Sequence, residues 1–109
     1  MKEYSAYLVL KPITDAQIRK IKSISENYNL NIDIGESHLE FEYAGRDSSR
    51  FVVKFLRDIA PIVGKAFGEV VCEIINDDRD NDFEFYQIRD GKLLFQTGKI
   101  VRGQERIID

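Results

Sequence analysis

The strongest constraint on this chain is a strict alternation of apolar and polar residues from position 30 to position 43. The apolar members occupy every second position on either side of a turn at Gly35 to His38: Leu30, Ile32, Ile34, Leu39, Phe41 and Tyr43. Successive side chains of a strand point to opposite faces of a sheet, so this pattern is typical of strands with one buried face. The sequence therefore predicts a β-hairpin over 30–43, with its second strand closed at Gly45.

A helix is predicted before the hairpin, because the residues from Thr14 onward carry both a start signal and a helical period. Thr14 is a preferred N-cap residue, and Gln17 lies three positions later, which makes a capping box. The apolar residues Ile18 and Ile21 begin a stripe at helical spacing. We expect this helix to end near positions 27–29.

A second helix is predicted after the hairpin, with three candidate N-caps: Asp47, Ser48 and Ser49. Its apolar stripe follows helical spacing: Val52, Phe55, Leu56, Ile59 and Val63. Pro61 removes a backbone donor, so it either kinks this helix or ends it near Ile59. Gly64 and Gly68 favour a stop soon afterwards.

The remaining strand-like segments are Tyr4–Leu10, Glu69–Ile75, Phe83–Arg89 and Lys92–Val101. Asp90-Gly91 between the last two is a strong hairpin signal, which pairs Ile88 with Leu93 and Tyr86 with Phe95. Residues 103–109 show no period and are left unassigned. The order predicts one α+β domain over 1–109, a ferredoxin-like split βαβ (βαββαβ) extended by a C-terminal hairpin. Two helices are expected on one face of a mainly antiparallel sheet.

The composition limits which cell compartment and which classes of binding partner we expect. The 109 residues include 16 basic and 19 acidic residues, a net charge of −3, which gives no bulk attraction to nucleic acid or to an anionic membrane. A single cysteine, Cys72, excludes an internal disulfide. The N-terminal residues lack signal-peptide features, and no apolar run reaches the ~18 residues of a membrane span. We expect a cytoplasmic protein.

Few residues are candidates for catalysis or for binding a metal or cofactor. His38 is the sole histidine and is interpreted as a solvated turn residue. Cys72 lies among strand-forming apolar residues, so we expect a small buried hydrophobe. The sequence contains neither a glycine-rich phosphate motif nor paired cysteine–histidine spacing. We therefore predict no catalytic residue, no metal and no cofactor.

An aspartate-rich loop at 76–82 resembles part of a calcium-binding loop but fails at defining positions. In a frame that starts at Asp78, Phe83 stands where an EF-hand loop needs glycine, and Arg89 stands where it needs glutamate. We interpret the segment as a solvated hairpin loop and predict no tight calcium site.

Surface charge carries the functional hypothesis. If both helices cover one face, the polar positions of the hairpin point away from them, and the surface from Asp77 to Glu84 extends the acidic area around one edge. The predicted partner-binding residues are acidic: Asp33, Glu40, Glu42, Glu73, Asp77, Asp78, Asp80 and Asp82. Basic residues follow the outside of the second helix instead: Arg50, Lys54 and Arg57. An acidic open sheet argues against RNA binding, since RNA-recognition modules of this topology present aromatic and positive groups there.

Three hypotheses follow. The first is a non-catalytic domain that binds a basic protein, in its most concrete form an immunity protein that neutralises a nuclease-type bacterial toxin. The alternative is a small-ligand-binding or regulatory domain that dimerises through an apolar open-face patch: Tyr7, Val9, Val71 and Ile75. The third is an enzyme that uses Tyr86, His38 or the loop at 77–82. Oligomeric state, monomer or homodimer, is left open.

Overall fold

The computed structural model describes residues 1–98. In chain order the elements are β1 (Lys2–Leu10), α1 (Asp15–Asn27), β2 (Asp33–Ile34), β3 (His38–Gly45), α2 (Phe51–Val63), β4 (Ala66–Phe67), β5 (Val70–Ile74), β6 (Asp82–Arg89) and β7 (Lys92–Gly98). Residues 103–109, which the sequence left unassigned, lie outside the described residues. The last three residues of the predicted final strand, 99–101, also lie outside them. None of the helices within 1–98 is long and apolar enough to span a membrane.

The sheet has the strand order β2-β3-β1-β5-β6-β7, and its pairs are antiparallel. This confirms the predicted ferredoxin-like arrangement, with β6 and β7 added beyond β5. The register also confirms the predicted pairs Ile88 with Leu93 and Tyr86 with Phe95. The two-residue strand β4, which pairs with the end of β1, was not predicted, because two residues are too short for a strand period.

The start of α1 follows the prediction. Thr14 is the N-cap, and its Oγ1 accepts a hydrogen bond of 3.2 Å from the Gln17 amide. The Gln17 Oε1 accepts in return from the Thr14 amide at 2.8 Å. The capping box is therefore formed, and the helix ends at Asn27 with Tyr28 as C-cap.

The start of α2 differs from the prediction. The helix begins at Phe51 and follows Arg50, whose backbone is left-handed (φ 58°), so neither Ser48 nor Ser49 is the N-cap. Asp47 still supplies a capping oxygen, because its Oδ1 accepts from the Phe51 amide at 2.8 Å. Pro61 does not end the helix at Ile59: the helix continues through it to Val63, although proline cannot donate the backbone hydrogen bond of that position.

A single apolar core lies between the helices and one face of the sheet. In β1 the buried residues alternate with exposed ones: Tyr4, Ala6, Leu8 and Leu10 face the core, while Tyr7 and Val9 are 64% and 45% exposed. Leu39 and Phe41 of β3 are buried as predicted. The other side of the sheet, called the open face below, is left uncovered by the helices.

Candidate protein-binding face

The open face carries five carboxylates on four strands, called the acidic group below: Glu3, Asp33, Glu40, Glu42 and Glu73. Asp33 lies directly opposite Glu40, and Glu3 lies directly opposite Glu73. Neighbouring strands are about 5 Å apart, so these pairs place like charges close together. Four members were predicted; Glu3 was missed, because the predicted first strand began one residue too late to include its alternation with Ser5 and Tyr7.

Two adjoining hollows lie among these carboxylates. One, of about 520 Å³, is lined by Glu3, Ser5, Glu42, Ala44, Val71 and Glu73. The other, of about 500 Å³, is lined by Ser5, Tyr7, Asp33, Glu40 and Glu42. Ser5 and Ala44 are short side chains, and they leave the room that longer residues would fill. Glu42 lines both hollows and is therefore the central carboxylate of the surface.

Most carboxylates of the acidic group form no ion pair within residues 1–98. Within residues 1–98, no ion pair of 4 Å or less involves Glu3, Glu40, Glu42 or Glu73. Glu73 accepts a hydrogen bond of 2.6 Å from Asn81 Nδ2, a neutral donor that holds the carboxylate without removing its charge. The open face therefore keeps a negative potential that is available to a basic partner.

An apolar area adjoins the acidic group, and it is called the apolar patch below: Tyr7, Val9 and Phe67. Val9 lies directly opposite Phe67 of β4, and these two side chains are 45% and 52% exposed. Tyr7 lies two residues along β1 on the same face and opposite Glu40. The close approach of β4 depends on Gly68, where an added Cβ would lie 2.9 Å from the Tyr7 carbonyl oxygen. Of the other residues predicted for an apolar dimer patch, Val71 and Ile75 are half-buried.

The aspartate-rich loop divides between two sides of the sheet. Asp77, Asp78 and Asp80 are exposed in the loop. Asp82 pairs with Ile74, and Glu84 pairs with the buried Cys72, so strand alternation assigns both acids to the side that the helices cover. The predicted acidic surface from Asp77 to Glu84 therefore does not continue onto the open face at these two residues, and the role of Asp82 in partner binding stays a prediction.

The loop is closed by its own polar contacts. The Asn76 amide donates to Asn81 Oδ1 at 3.1 Å, and Asn76 Nδ2 donates to the Asp80 carbonyl at 3.0 Å. Arg79 Nη2 lies 3.5 Å from Asp82 Oδ2. In the part of the chain that the structure describes, no three acidic, histidine or cysteine side chains are grouped as metal ligands. The absence of a tight calcium site stays a prediction.

His38 differs from the solvated turn residue that was predicted. It begins β3, its side chain is 40% exposed, and its Nε2 lies 3.5 Å from Asp33 Oδ1. Its ring packs over Gly35, where an added Cβ would lie 2.7 Å from the ring. Sequence reasoning missed this pair, because the two residues are five positions apart and meet only when the hairpin closes.

A buried polar cluster joins the sheet to the start of α2. The Tyr4 hydroxyl donates to Asp47 Oδ2 at 2.6 Å, and Asp47 is only 4% exposed. Burial, with the hydrogen bond to Asp47, raises the pKa of Tyr4 well above its ordinary value. Next to Tyr4, burial raises the pKa of Cys72 to about 11, and the side chain is fully buried, as predicted.

Tyr86, a residue of the enzyme hypothesis, lies near the same helix start. Its buried hydroxyl donates to Glu84 Oε1 at 3.0 Å and accepts from Arg50 Nη2 at 3.5 Å. Burial, followed by the hydrogen bond to Glu84, raises the pKa of this hydroxyl. These contacts engage Tyr86 with neighbouring side chains on the helix-covered side, away from the two hollows.

No protein-family model matches the chain, and no curated protein or solved structure is significantly similar to it.

Proposed function

We propose that this chain is a non-catalytic binding domain whose open face docks a basic protein. The observation that carries the proposal is the position of Glu42, which lines both hollows and has no cation within 4 Å in residues 1–98. Glu3, Glu40 and Glu73 share the same face and also lack an ion pair there. Lysine or arginine side chains of a partner would enter the hollows and neutralise these charges.

Charge complementarity gives such a surface a kinetic role. Complementary potentials steer the encounter of two proteins and raise the association rate by orders of magnitude at low salt. An acidic face of this kind suits an inhibitor that must reach a basic target quickly. The concrete form of our proposal is an immunity protein that covers the positive cleft of a nuclease-type toxin.

A second copy of the chain fits the same face less well. A symmetric dimer centred on the acidic group would bring the two copies of that group face to face. Like charges that meet across an interface cost several kcal/mol. The regulatory-dimer alternative therefore needs its two-fold axis at the apolar patch and away from the acidic group.

The decisive experiment is partner capture followed by kinetics. The tagged protein is used to isolate its partner from the source cells, and association rates are then measured for purified proteins at low and high salt. Glu40→Lys/Glu42→Lys should slow association about tenfold or more at low salt, with a smaller effect at high salt. Folding should be preserved, since both side chains lie on the uncovered face of the sheet, where substitutions usually change stability by less than about 0.5 kcal/mol.

The matched control is Asp15→Lys/Glu26→Lys. It changes net charge by the same amount, but both residues are exposed on α1, on the opposite side of the molecule. The proposal expects this control to associate at nearly the wild-type rate. If the control slows association as much as the open-face variant does, only net charge matters. A partner lost by the control and retained by the open-face variant would place the interface on the helix layer.

A further inference from the structure

The open face is not uniformly acidic, and its second part gives the partner a more specific chemistry. Tyr7, Val9 and Phe67 expose 64%, 45% and 52% of their surface on one side of the sheet. Single exposed apolar residues are ordinary, but a contiguous group beside polar residues is typical of an interaction site. Val9 and Phe67 are direct cross-strand neighbours, so the patch is contiguous.

The apolar patch and the acidic group form one surface. Tyr7 lies directly opposite Glu40 and lines the hollow that contains Asp33, Glu40 and Glu42. A ligand seated on Val9 and Phe67 therefore lies beside Tyr7 and its hollow, and it shares the Phe67 ring with the Lys65 ammonium, which lies 5.1 Å from the ring centroid.

Resting on the proposed function, we propose that the basic partner docks through an extended segment that carries one large apolar residue beside two basic residues. The apolar residue packs on Val9 and Phe67. The first basic residue reaches the level of Tyr7, where Asp33 and Glu40 lie, and the second enters the hollow at Ser5 and Glu42.

The spacing follows from β1 itself. Val9, Tyr7 and Ser5 are successive residues on one face of the strand, so the three subsites are separated by two residues each. Each step is about 7 Å, since a strand rises about 3.3 Å per residue. An extended partner segment presents side chains to one face with the same period. The recognised pattern is therefore an apolar residue at position i with lysine or arginine at i+2 and i+4.

Charge favours this partner over a second copy of the chain. Within residues 1–98, the only side chain able to carry a positive charge within 4 Å of the acidic group is His38, whose Nε2 lies 3.5 Å from Asp33 Oδ1. A face with unneutralised carboxylates next to an apolar patch is complementary to a segment that is basic and apolar, whereas a second open face centred on the acidic group would present further carboxylates to it.

The test uses three synthetic peptides that differ only at the anchor and basic positions. The first is Ser-Phe-Thr-Lys-Thr-Lys-Ser, the second has serine in place of phenylalanine, and the third has glutamate in place of both lysines. Dissociation constants and binding positions are measured by NMR titration of the full chain. We expect the first peptide to bind about fivefold more tightly than the second, because the phenylalanine buries apolar surface. The third peptide should not bind.

Two variants of the protein show which side chains bind the phenylalanine and the lysines of the peptides. Val9→Thr/Phe67→Thr should abolish the advantage of the first peptide over the second while the second peptide binds as before. Threonine keeps the strand preference of these positions, so folding is retained. Glu40→Lys/Glu42→Lys should weaken the binding of both lysine-containing peptides.

The outcomes separate this inference from the proposed function. Equal binding of the two lysine peptides overturns the apolar subsite and leaves the acidic docking face intact. Absence of binding by both at millimolar concentration contradicts both proposals. A stable dimer of the wild-type chain that Val9→Thr/Phe67→Thr converts to a monomer would show that a second copy covers the patch, and that result also overturns the inference.

Discussion

The two helices begin with capping groups of different origin. At α1 the cap is local: Thr14 and Gln17 exchange hydrogen bonds within one turn. At α2 the capping oxygen comes from Asp47, four residues before Phe51, and the same carboxylate accepts from Tyr4 in β1. Two residues around the second start, Asp47 and Arg50, have left-handed backbones, with φ of 43° and 58°. The carboxylate that caps α2 is thus also bonded to the sheet, whereas the capping groups of α1 bond only within its own first turn.

Among the variants that test this difference between the helix starts, Asp47→Ala should reduce the stability of the protein most. The substitution removes the cap of α2 and leaves the buried Tyr4 hydroxyl without its acceptor, for a combined cost of about 3 kcal/mol. Urea denaturation with matched slopes measures it. Asp47→Asn, which keeps an acceptor and tolerates a left-handed backbone, should cost about 1 kcal/mol.

A double-mutant cycle with Tyr4→Phe tests whether Asp47 couples the sheet to the helix. We expect a coupling energy of about 1 kcal/mol or more, because the two groups share a buried hydrogen bond. The exposed pair Ser48→Ala/Ser49→Ala is the control and should change stability by less than about 0.5 kcal/mol. Additive effects of Asp47 and Tyr4 would mean that α2 is capped independently of the sheet.

Alkaline pH should lower the stability of the protein through two groups of this buried cluster, Tyr4 and Cys72. The native pKa of Cys72 is about 11 against an ordinary 9.0, and that of Tyr4 lies above its ordinary 10.0. The unfolded chain therefore loses these protons first, so stability should fall as pH rises above the ordinary values. Unfolding midpoints from about pH 8 to about pH 10.5 measure the slope. The variant Tyr4→Phe/Cys72→Ala should have a flatter profile, and an unchanged slope would contradict the assignment.

Thr14→Ala should cost about 1 kcal/mol, since it removes the N-cap of α1 and half of its capping box. The loss should be independent of changes at Asp47, because the two caps share no partner. The measurement is the denaturation midpoint of the single and combined variants. An effect of Thr14→Ala that depends on Asp47 would show that the local start is not local.

Arg50→Gly should have the smallest effect and the opposite sign. Glycine adopts a left-handed backbone without strain and is tolerated as an N-cap, so we expect a gain of about 0.5 kcal/mol. Arg50→Ala keeps the strain and loses the contact with Tyr86, and it should be slightly destabilising. A loss of stability in Arg50→Gly would assign the energetic weight to that contact instead of the backbone.

Several elements of the fold were predictable because their signals lie within a few residues. The alternation over 30–43 placed Leu39 and Phe41 in the core, as observed. Asp90-Gly91 set the register of the last hairpin, and its positive φ values of 53° and 71° are those of a two-residue turn. The same alternation placed Asp33, Glu40 and Glu42 on the open face. Their role in binding stays a prediction.

The sequence by itself determined the order of the elements other than β4, the cap of α1 and the face on which each hairpin side chain lies, because periodicity and capping act over neighbouring residues. Tertiary structure alone decided that Asp47 bonds Tyr4, 43 positions away, and that Asp82 and Glu84 leave the open face. It also brought Phe67 beside Val9 through β4, which adds an apolar patch to the acidic surface. Such contacts join residues that are distant in the chain, so they depend on how the strands pair and not on any local pattern.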